Sequence, residues 1–195
     1  MAEEQSHQRC WVWYGGRLSV DFVNTRKERF GPGRELLNTP EDLAAWLLAA
    51  ELSGPVTPTQ RELIDARELR EAIDAGIYAT VMHAPIPAAA IQTLNSWLAR
   101  AGDFPPRLHL HQDTLVLHTT SRPSDTIGAL YRIAHDAAAQ LGSDDRARLR
   151  ICQGDHCSAR FADNSAGQRR RWCRMAVCGN RAKAAAHRHA TTHRH

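Results

Sequence analysis

The sequence contains no long apolar run and few aromatic residues. Phe, Trp and Tyr make up 6% of the 195 residues, and hydrophobic residues as a whole make up 43%. No stretch approaches the roughly 20 consecutive apolar residues that a membrane-spanning helix requires. The first ten residues, MAEEQSHQRC, are polar and acidic and lack the apolar core of a secretory signal peptide. We therefore expect a cytoplasmic globular protein with no membrane partner.

Motifs that mark common catalytic sites are also missing. The sequence has no nucleophile elbow, no phosphate-binding loop, no HExxH motif and no deaminase signature in which HxE precedes PCxxC. We therefore expect no catalytic residues and predict that the protein is not an enzyme.

Cysteine is scarce, with five residues in the chain, but four of them form two close pairs with the spacing C-x4-C-x15-C-x4-C. Thiolates on two short knuckles supply the tetrahedral donors that Zn²⁺ prefers, and a metal can replace the apolar core that so short a segment lacks. Reduced thiols, two disulfides and an iron–sulfur cluster are the alternatives, but the polar, Arg-rich surroundings and the absence of a secretory signal favour zinc. The predicted Zn²⁺ ligands are Cys152, Cys157, Cys173 and Cys178.

The cysteine-rich segment resembles the CGNR zinc finger, a family named after Cys178-Gly179-Asn180-Arg181. The rest of that family's pattern is present as Phe161, Asp163, Ser165, Arg170-Arg171-Trp172-Cys173, Met175 and Lys183. Two upstream stretches, LSVDFVNT from Leu18 and PEDLxxWL from Pro40, are similar to the ABATE domain that accompanies this finger. The resemblance covers nearly the whole chain and implies a stress-responsive transcription regulator.

Charge is distributed unevenly along the chain. The net charge is +4, but the segment from Ile151 to His195 has nine Arg or Lys and two acidic residues, so it carries +7 and the remainder carries −3. A basic module joined to a mildly acidic one is typical of a nucleic-acid reader with a separate sensing or assembly domain.

We therefore predict that the finger binds double-stranded DNA. Guanidinium groups can grip phosphates or guanine edges, and a helix starting at the last ligand pair would favour phosphate at its N-terminus. Asn180 is predicted to brace the metal loops. The candidate nucleic-acid contacts are Arg169, Arg170, Arg171, Arg174, Arg181 and Lys183. The alternative hypothesis is a zinc-stabilised protein-interaction module that does not contact DNA.

Near the N-terminus, Asp21, Asn24 and Arg26 allow two interpretations. Their side chains could pin a local turn through hydrogen bonds to the backbone, or they could line a pocket for a small ligand. The N-terminal domain would accordingly sense an unknown ligand or mediate assembly with a protein partner, including as a homodimer.

The residue pattern predicts a mainly α fold with a small β component. Apolar residues at helical spacing predict helices after the caps Thr39 and Thr59, from about 88 to 101, and up to about 141. Alternation predicts a β-hairpin over 107–118, and the apolar residues from Leu18 to Phe22 are interpreted as a short strand or entry segment. We assign residues 1–145 to a helical ABATE-like domain. Residues 146–195 are assigned to a treble-clef-like or ribbon-like zinc finger with a basic, His-rich tail.

Overall fold

The structure is a computed structural model that describes residues 11–103, 107–118 and 125–192. These residues form six α-helices and three antiparallel pairs of short strands. The predicted class, mainly α with a small β component, is confirmed. No helix among the described residues combines the length and the apolar character that crossing a bilayer would demand.

The elements alternate between helices and small hairpins along the chain. The helices are α1 (Leu18–Val23), α2 (Pro40–Ala49), α3 (Gln60–Val81), α4 (Ala88–Leu98), α5 (Thr126–Leu141) and α6 (Asn180–Thr192). The strands are β1 (Arg26–Lys27), β2 (Arg34–Glu35), β3 (Arg107–His111), β4 (Thr114–His118), β5 (Leu149–Ile151) and β6 (Arg160–Ala162). Short 3₁₀ turns cover Ala99–Asp103 and Asp144–Arg148, and a π turn covers Met175–Gly179.

The chain forms two compact units that do not follow its order. The helical unit, Leu37–Ala147, contains α2 to α5 and the β3–β4 hairpin. The finger unit joins the residues up to Leu36 with those from Arg148 onward. Our division of the sequence, 1–145 and 146–195, therefore differs from the compact units, because the segment before Leu37 belongs with the cysteine-rich segment.

The helical unit is built on amphipathic helices with well-defined starts. The side chains of Thr39 and Thr59 each accept a hydrogen bond from the backbone N–H three residues ahead, at 3.3 and 3.2 Å. In return, the backbone N–H of each threonine donates to the carboxylate of that later residue. Both predicted helix starts are thus confirmed as capping boxes. The fully buried core residues include Leu43, Trp46, Leu47, Leu63, Leu69, Ile73, Leu130 and Ile133.

Gly76 allows α3 to approach α5 closely. A Cβ atom at this position would lie 2.8 Å from Cδ1 of Leu141. The glycine in an otherwise strongly helical pattern is therefore explained by helix packing.

The β3–β4 hairpin forms in the predicted register, with Leu108 opposite Leu117 and His109 opposite Val116. The alternating sequence suggests one buried face. Instead, apolar and polar positions alike are exposed over 108–116, with Leu108, Leu110 and Leu115 at 63%, 69% and 66%.

The first helix corrects one prediction. Leu18–Val23 is helix α1 rather than a strand, and five of its six residues are buried. Apolar and polar residues alternate from Leu18 to Phe22, which is the periodicity of a strand, but the short helix is buried on nearly all sides and so buries both sets. In the finger unit α1 packs against β6, so the motif around Asp21 is part of the finger's own framework.

Candidate metal centre and the surfaces around it

Two knuckles bring the four cysteines together. Cys152 directly follows β5 and Cys157 precedes β6, so both lie on the connection between the paired strands. Cys173 precedes the π turn, and Cys178 lies within it just before α6. A hairpin carrying one pair and a helix starting at the other is the treble-clef-like arrangement that the sequence predicted.

The sulfur positions match a tetrahedral metal site. All four Sγ atoms lie within 4.8 Å of one another. Sγ of Cys173 is 3.9 Å from that of Cys157 and 3.8 Å from that of Cys178. With Zn–S bonds of about 2.3 Å, the edges of a ZnS₄ tetrahedron are about 3.8 Å. A disulfide requires a separation of about 2.05 Å, so these four residues are free thiols arranged to hold one Zn²⁺.

Because the four thiols lie close together, the pKa of one is lowered and the pKa values of two others are raised. Hydrogen bonds from the thiols of Cys157 and Cys173 lower the pKa of Cys152 to about 2. The hydrogen bonds with Cys152 and Cys157, together with burial, raise the pKa of Cys173. Burial, followed by the charge of Cys157, raises the pKa of Cys178 to about 11. The sulfurs therefore resist being ionised together, and a divalent cation is the species that would hold all four as thiolates.

Backbone groups support the ligand positions. The Cys173 N–H donates to Sγ of Cys152 at 3.3 Å. At Gly154, a Cβ atom would lie 2.9 Å from Cβ and 3.1 Å from Sγ of Cys178. Only glycine lets the first knuckle pass so close to a ligand from the second.

A small apolar cluster surrounds the sulfurs. Phe161 is fully buried beside them, and the partly buried Tyr14 and Trp172 pack on the same cluster. Burial and then the charge of Cys173 raise the pKa of Tyr14. Trp172 thus packs on the finger's core.

Asp163 organises the loop between β6 and the second knuckle. It is fully buried and accepts hydrogen bonds from the Ser165 hydroxyl at 2.6 Å, the Ser165 N–H at 3.0 Å and the Arg170 N–H at 2.8 Å. Burial acts to raise its pKa, but these hydrogen bonds outweigh burial, so the pKa of Asp163 lies below its ordinary value. The side chain is therefore a fixed anionic anchor for the loop.

Two arginines of the run that was predicted to contact phosphate, Arg170 and Arg171, make different contacts. The Arg170 guanidinium donates to the Cys173 carbonyl at 2.7 Å and lies 4.7 Å from the Phe161 ring centroid. Arg171 donates to the Gln153 side chain at 2.7 Å and lies over Trp172. Arg170 thus braces the second knuckle and Arg171 lies beside the first, and both residues are exposed. Their contact with nucleic acid stays a prediction.

The remaining predicted nucleic-acid residues are exposed. These residues are Arg169, Arg174, Arg181 and Lys183. None of the four forms a salt bridge within the described part of the finger unit. Asn180 donates to the Ala176 carbonyl at 3.3 Å, in agreement with the bracing role predicted for it. Because the π turn leads directly into α6, the amide end of this helical segment lies near Met175 rather than at Asn180.

The three predicted ligand residues occupy different environments. Asp21 accepts a hydrogen bond from the Gly15 N–H at 2.7 Å. Asn24 donates to the Arg160 carbonyl and accepts from the Arg160 N–H, both at 2.9 Å. Arg26 is exposed on β1. Asp21 thus makes a local bond to the backbone, whereas Asn24 bonds a backbone segment 136 positions away instead of pinning a local turn. Ligand binding by the three residues stays a prediction.

A cleft of about 280 Å³ lies between the β1–β2 hairpin and the two knuckles, within the finger unit. Asn24 and Arg26 line it, together with Arg174 and Arg181 from the predicted nucleic-acid set. Lys27 and Arg34 also line it, and our sequence analysis did not single them out. The signal available was the basic stretch Arg26-Lys27 shortly before Gly31-Pro32-Gly33, a turn that folds Arg34 back beside it.

Comparison with protein families identifies both parts of the chain. The ABATE family model, described as "Putative stress-induced transcription regulator", matches residues 16–144. The model described as "CGNR zinc finger" matches residues 148–190. The comparison with curated proteins found no match.

Proposed function

Because the chain belongs to the ABATE family and ends in a CGNR zinc finger, we propose that it is a transcription regulator whose finger binds double-stranded DNA. The observation that carries the proposal is the concentration of exposed cations on the finger. The two acidic residues of the segment from Ile151 to His195 cannot balance them, since Asp163 is buried and engaged and Asp155 is a single carboxylate. Apart from Arg170, whose guanidinium braces the knuckle, the exposed cations proposed to contact DNA are Arg169, Arg171, Arg174, Arg181 and Lys183.

The metal site supports this proposal by fixing the backbone that carries the cations. Arg174 lies between Cys173 and Cys178, and Arg181 lies three residues beyond the last ligand. Zinc coordination would hold both in place before DNA arrives, which lowers the entropic cost of forming charge-assisted contacts with phosphate. Arg169 and Arg171 line a separate depression beside Trp172 and Met175.

Salt-dependent binding to a duplex of mixed sequence tests the proposal. We expect the triple variant Arg169→Ala/Arg171→Ala/Lys183→Ala to bind more weakly than the wild type. The slope of log affinity against log salt should fall by nearly three units, because each lost phosphate contact contributes about 0.9. Arg170 is left intact because its guanidinium braces the knuckle.

A charge-matched variant controls for general attraction. Arg61→Ala/Arg100→Ala/Arg146→Ala removes three exposed cations from the helical unit. It should retain the wild-type slope, and zinc content should equal one ion per chain in all three proteins. An unchanged slope and affinity in the finger variant would eliminate the proposed DNA contact.

The role that we propose is regulatory and not enzymatic. A metal ion held by four protein sulfurs has no open position at which a substrate could react. Ligand sensing by the N-terminal segment belongs to the same proposal, with Asn24 and Arg26 at the cleft beside the finger. The cytoplasmic location stays a prediction from the sequence.

A protein-interaction role is the second candidate, and the exposed leucines of the β3–β4 hairpin favour it. Leu110 and Leu115 are cross-strand partners and are 69% and 66% exposed. An apolar strip of this kind often marks an association surface. If it mediates a homodimer, sedimentation should show a dimer for the wild type and a monomer for Leu110→Glu/Leu115→Glu. A monomeric wild type would leave the hairpin without this role.

A further inference from the structure

The cleft beside the metal centre is strongly cationic. Five Arg or Lys residues line it, and they outnumber its anionic groups, which are the carboxylate of Glu28 and the sulfurs of three metal ligands, Cys157, Cys173 and Cys178, whose charge a bound Zn²⁺ would partly neutralise. The cations come from two distant parts of the sequence and are Arg26, Lys27, Arg34, Arg174 and Arg181. Such a concentration of one sign in a concave surface focuses the electrostatic potential and favours an anionic occupant.

The β1–β2 hairpin adds a second indication. Lys27 and Arg34 are direct cross-strand partners. Like charges placed opposite each other destabilise a strand pair, and this pair has only two residues in each strand. Glu28 offsets part of this repulsion, since its carboxylate lies 3.7 Å from Nε of Arg34. An anion bound among these cations would reduce the repulsion between them further.

The walls of the cleft are held in place by buried polar contacts. Asn24 lies two residues before β1, and its side chain both donates a hydrogen bond to the backbone of Arg160 and accepts one from it. The Arg29 N–H donates to the Ser158 hydroxyl at 2.8 Å, and its guanidinium donates to the Val23 carbonyl at 3.1 Å. The hairpin is thereby fastened to the first knuckle, so the cations meet in an arrangement that exists before a ligand binds.

We infer that this cleft binds the phosphate group of a small anionic ligand through Arg26, Lys27, Arg34, Arg174 and Arg181. Several guanidinium groups line this one cleft. Each guanidinium can donate two parallel N–H hydrogen bonds to a pair of phosphate oxygens, so the group suits phosphate better than a point charge would. A volume of about 280 Å³ would accommodate a phosphate ester or a pyrophosphate group. It lies at the low end of the range of small-molecule pockets, about 300–1,000 Å³.

The inference names a ligand class for the proposed sensing role and rests on that role for its biological meaning. The binding event itself does not require DNA. Arg174 and Arg181 are shared between the cleft and the cations proposed to contact DNA. A phosphate group in the cleft would therefore come either from a free ligand that competes with DNA or from the DNA backbone.

Calorimetric titration of the zinc-loaded protein with inorganic pyrophosphate tests the site. We expect a dissociation constant of about 1 mM or tighter, and a weakening of about 10-fold for Arg34→Ala, because a charge-assisted contact is lost. Arg26→Ala/Arg34→Ala should weaken binding further. Arg34→Lys should retain more affinity than Arg34→Ala because it keeps the charge.

Arg61→Ala is the matched control, since it removes one exposed positive charge from the helical unit. It should leave pyrophosphate affinity unchanged. The inference is overturned if pyrophosphate does not bind, or if Arg61→Ala and Arg34→Ala reduce its affinity equally, which would indicate nonspecific attraction.

Duplex binding by Arg26→Ala/Arg34→Ala identifies the source of the phosphate. Unchanged duplex affinity, with pyrophosphate binding lost, supports a free ligand. Loss of both supports a backbone phosphate in the cleft. Failure of the proposed function is distinguishable, because it would abolish duplex binding by the wild type while pyrophosphate binding and its sensitivity to Arg34→Ala persist.

Discussion

The two units of this protein are stabilised by different kinds of interaction. The helical unit contains a continuous set of fully buried apolar side chains on α2, α3 and α5, and capping boxes open α2 and α3. The finger unit has a small cluster around Phe161 and the sulfurs, and several of its buried groups are polar. Its parts are joined by the Asn24–Arg160 pair and by the hydrogen bonds that Asp163 accepts.

This difference shows how the chain is used. A unit with an apolar core can retain its shape without a cofactor, whereas a small unit with polar contacts needs a metal to offset the entropy of folding. The residues proposed to contact DNA or phosphate all belong to the finger unit. Its functional surface should therefore depend on zinc.

Removal of one zinc ligand should give the largest difference in stability between the two units. We expect Cys178→Ser to lose the bound zinc and to lose hydrogen-exchange protection in β5, β6 and α1, while α3 and α5 stay protected. The metal contributes about 10 kcal/mol or more to folding in small zinc modules. Metal analysis and hydrogen-exchange mass spectrometry measure the two effects.

Cys10→Ser is the control, because Cys10 is the one cysteine outside the cluster. It should retain one zinc ion per chain. Equal loss of protection in α3 and in β5 after removal of zinc would show that the helical unit also depends on the metal, contrary to the comparison.

A deletion in the apolar core tests the other unit. Leu69→Ala should destabilise α3 by about 3 kcal/mol, because it removes a fully buried side chain and leaves a cavity. Zinc content should not change. Ile64→Ala is the control on the same helix, where the side chain is 37% exposed, and it should cost much less. Exchange rates of α3 amides as a function of denaturant give both values.

The parts of this structure that could be predicted from sequence share one property: their signal is local. The caps at Thr39 and Thr59, the hairpin over 107–118 and the paired cysteine knuckles each depend on residues close in sequence. The metal centre was predictable because its spacing pattern is specific and because the resemblance to a zinc finger covers the same residues.

The parts that could not be predicted depend on contacts between distant residues. Asn24 and Arg160 are 136 positions apart, and nothing in either segment indicates that they pair. The cleft arises in the same way, since Lys27 and Arg34 meet Arg174 and Arg181 only after the N-terminal segment joins the finger. Arg170 illustrates a further limit, because a run of arginines does not reveal which member bonds to the backbone of its own knuckle.

The hydrogen bonds of Asn24 link the two segments of the finger unit, and their removal should destabilise that unit less than loss of a zinc ligand or of a core leucine. Asn24→Ala should destabilise the finger unit by about 2 kcal/mol, because it leaves the buried N–H and carbonyl of Arg160 without their partner. Protection of β6 in urea, measured by pulsed hydrogen exchange, reports this change. Asn164→Ala is the control, since its exposed side chain makes only a 3.4 Å contact with the Gly16 carbonyl. Equal effects of the two substitutions would contradict a special role for Asn24.

The smallest expected effect concerns Asp163 and depends on pH. Because hydrogen bonds hold the pKa of Asp163 below its ordinary value of about 3.9, the charged form stabilises the folded unit fully above that value. This contribution is lost as pH falls through the lowered pKa. Asp163→Asn keeps one acceptor oxygen but loses the charge, so it should destabilise the finger unit by about 1 kcal/mol at pH 7.

The same urea experiment at pH 7, 5 and lower values measures this difference. Acid-driven zinc release affects both proteins, so the difference between the wild type and Asp163→Asn isolates the carboxylate. It should stay constant between pH 7 and 5 and should shrink below about pH 4, where the wild type also begins to bind the proton. Asp155→Asn, an exposed acidic position of the first knuckle, should show little change at either pH. A stability of the wild type that instead rose relative to Asp163→Asn as pH fell from 7 to 5 would mean that the pKa of Asp163 is raised in the folded unit, and burial rather than hydrogen bonding would then dominate at the centre of the finger.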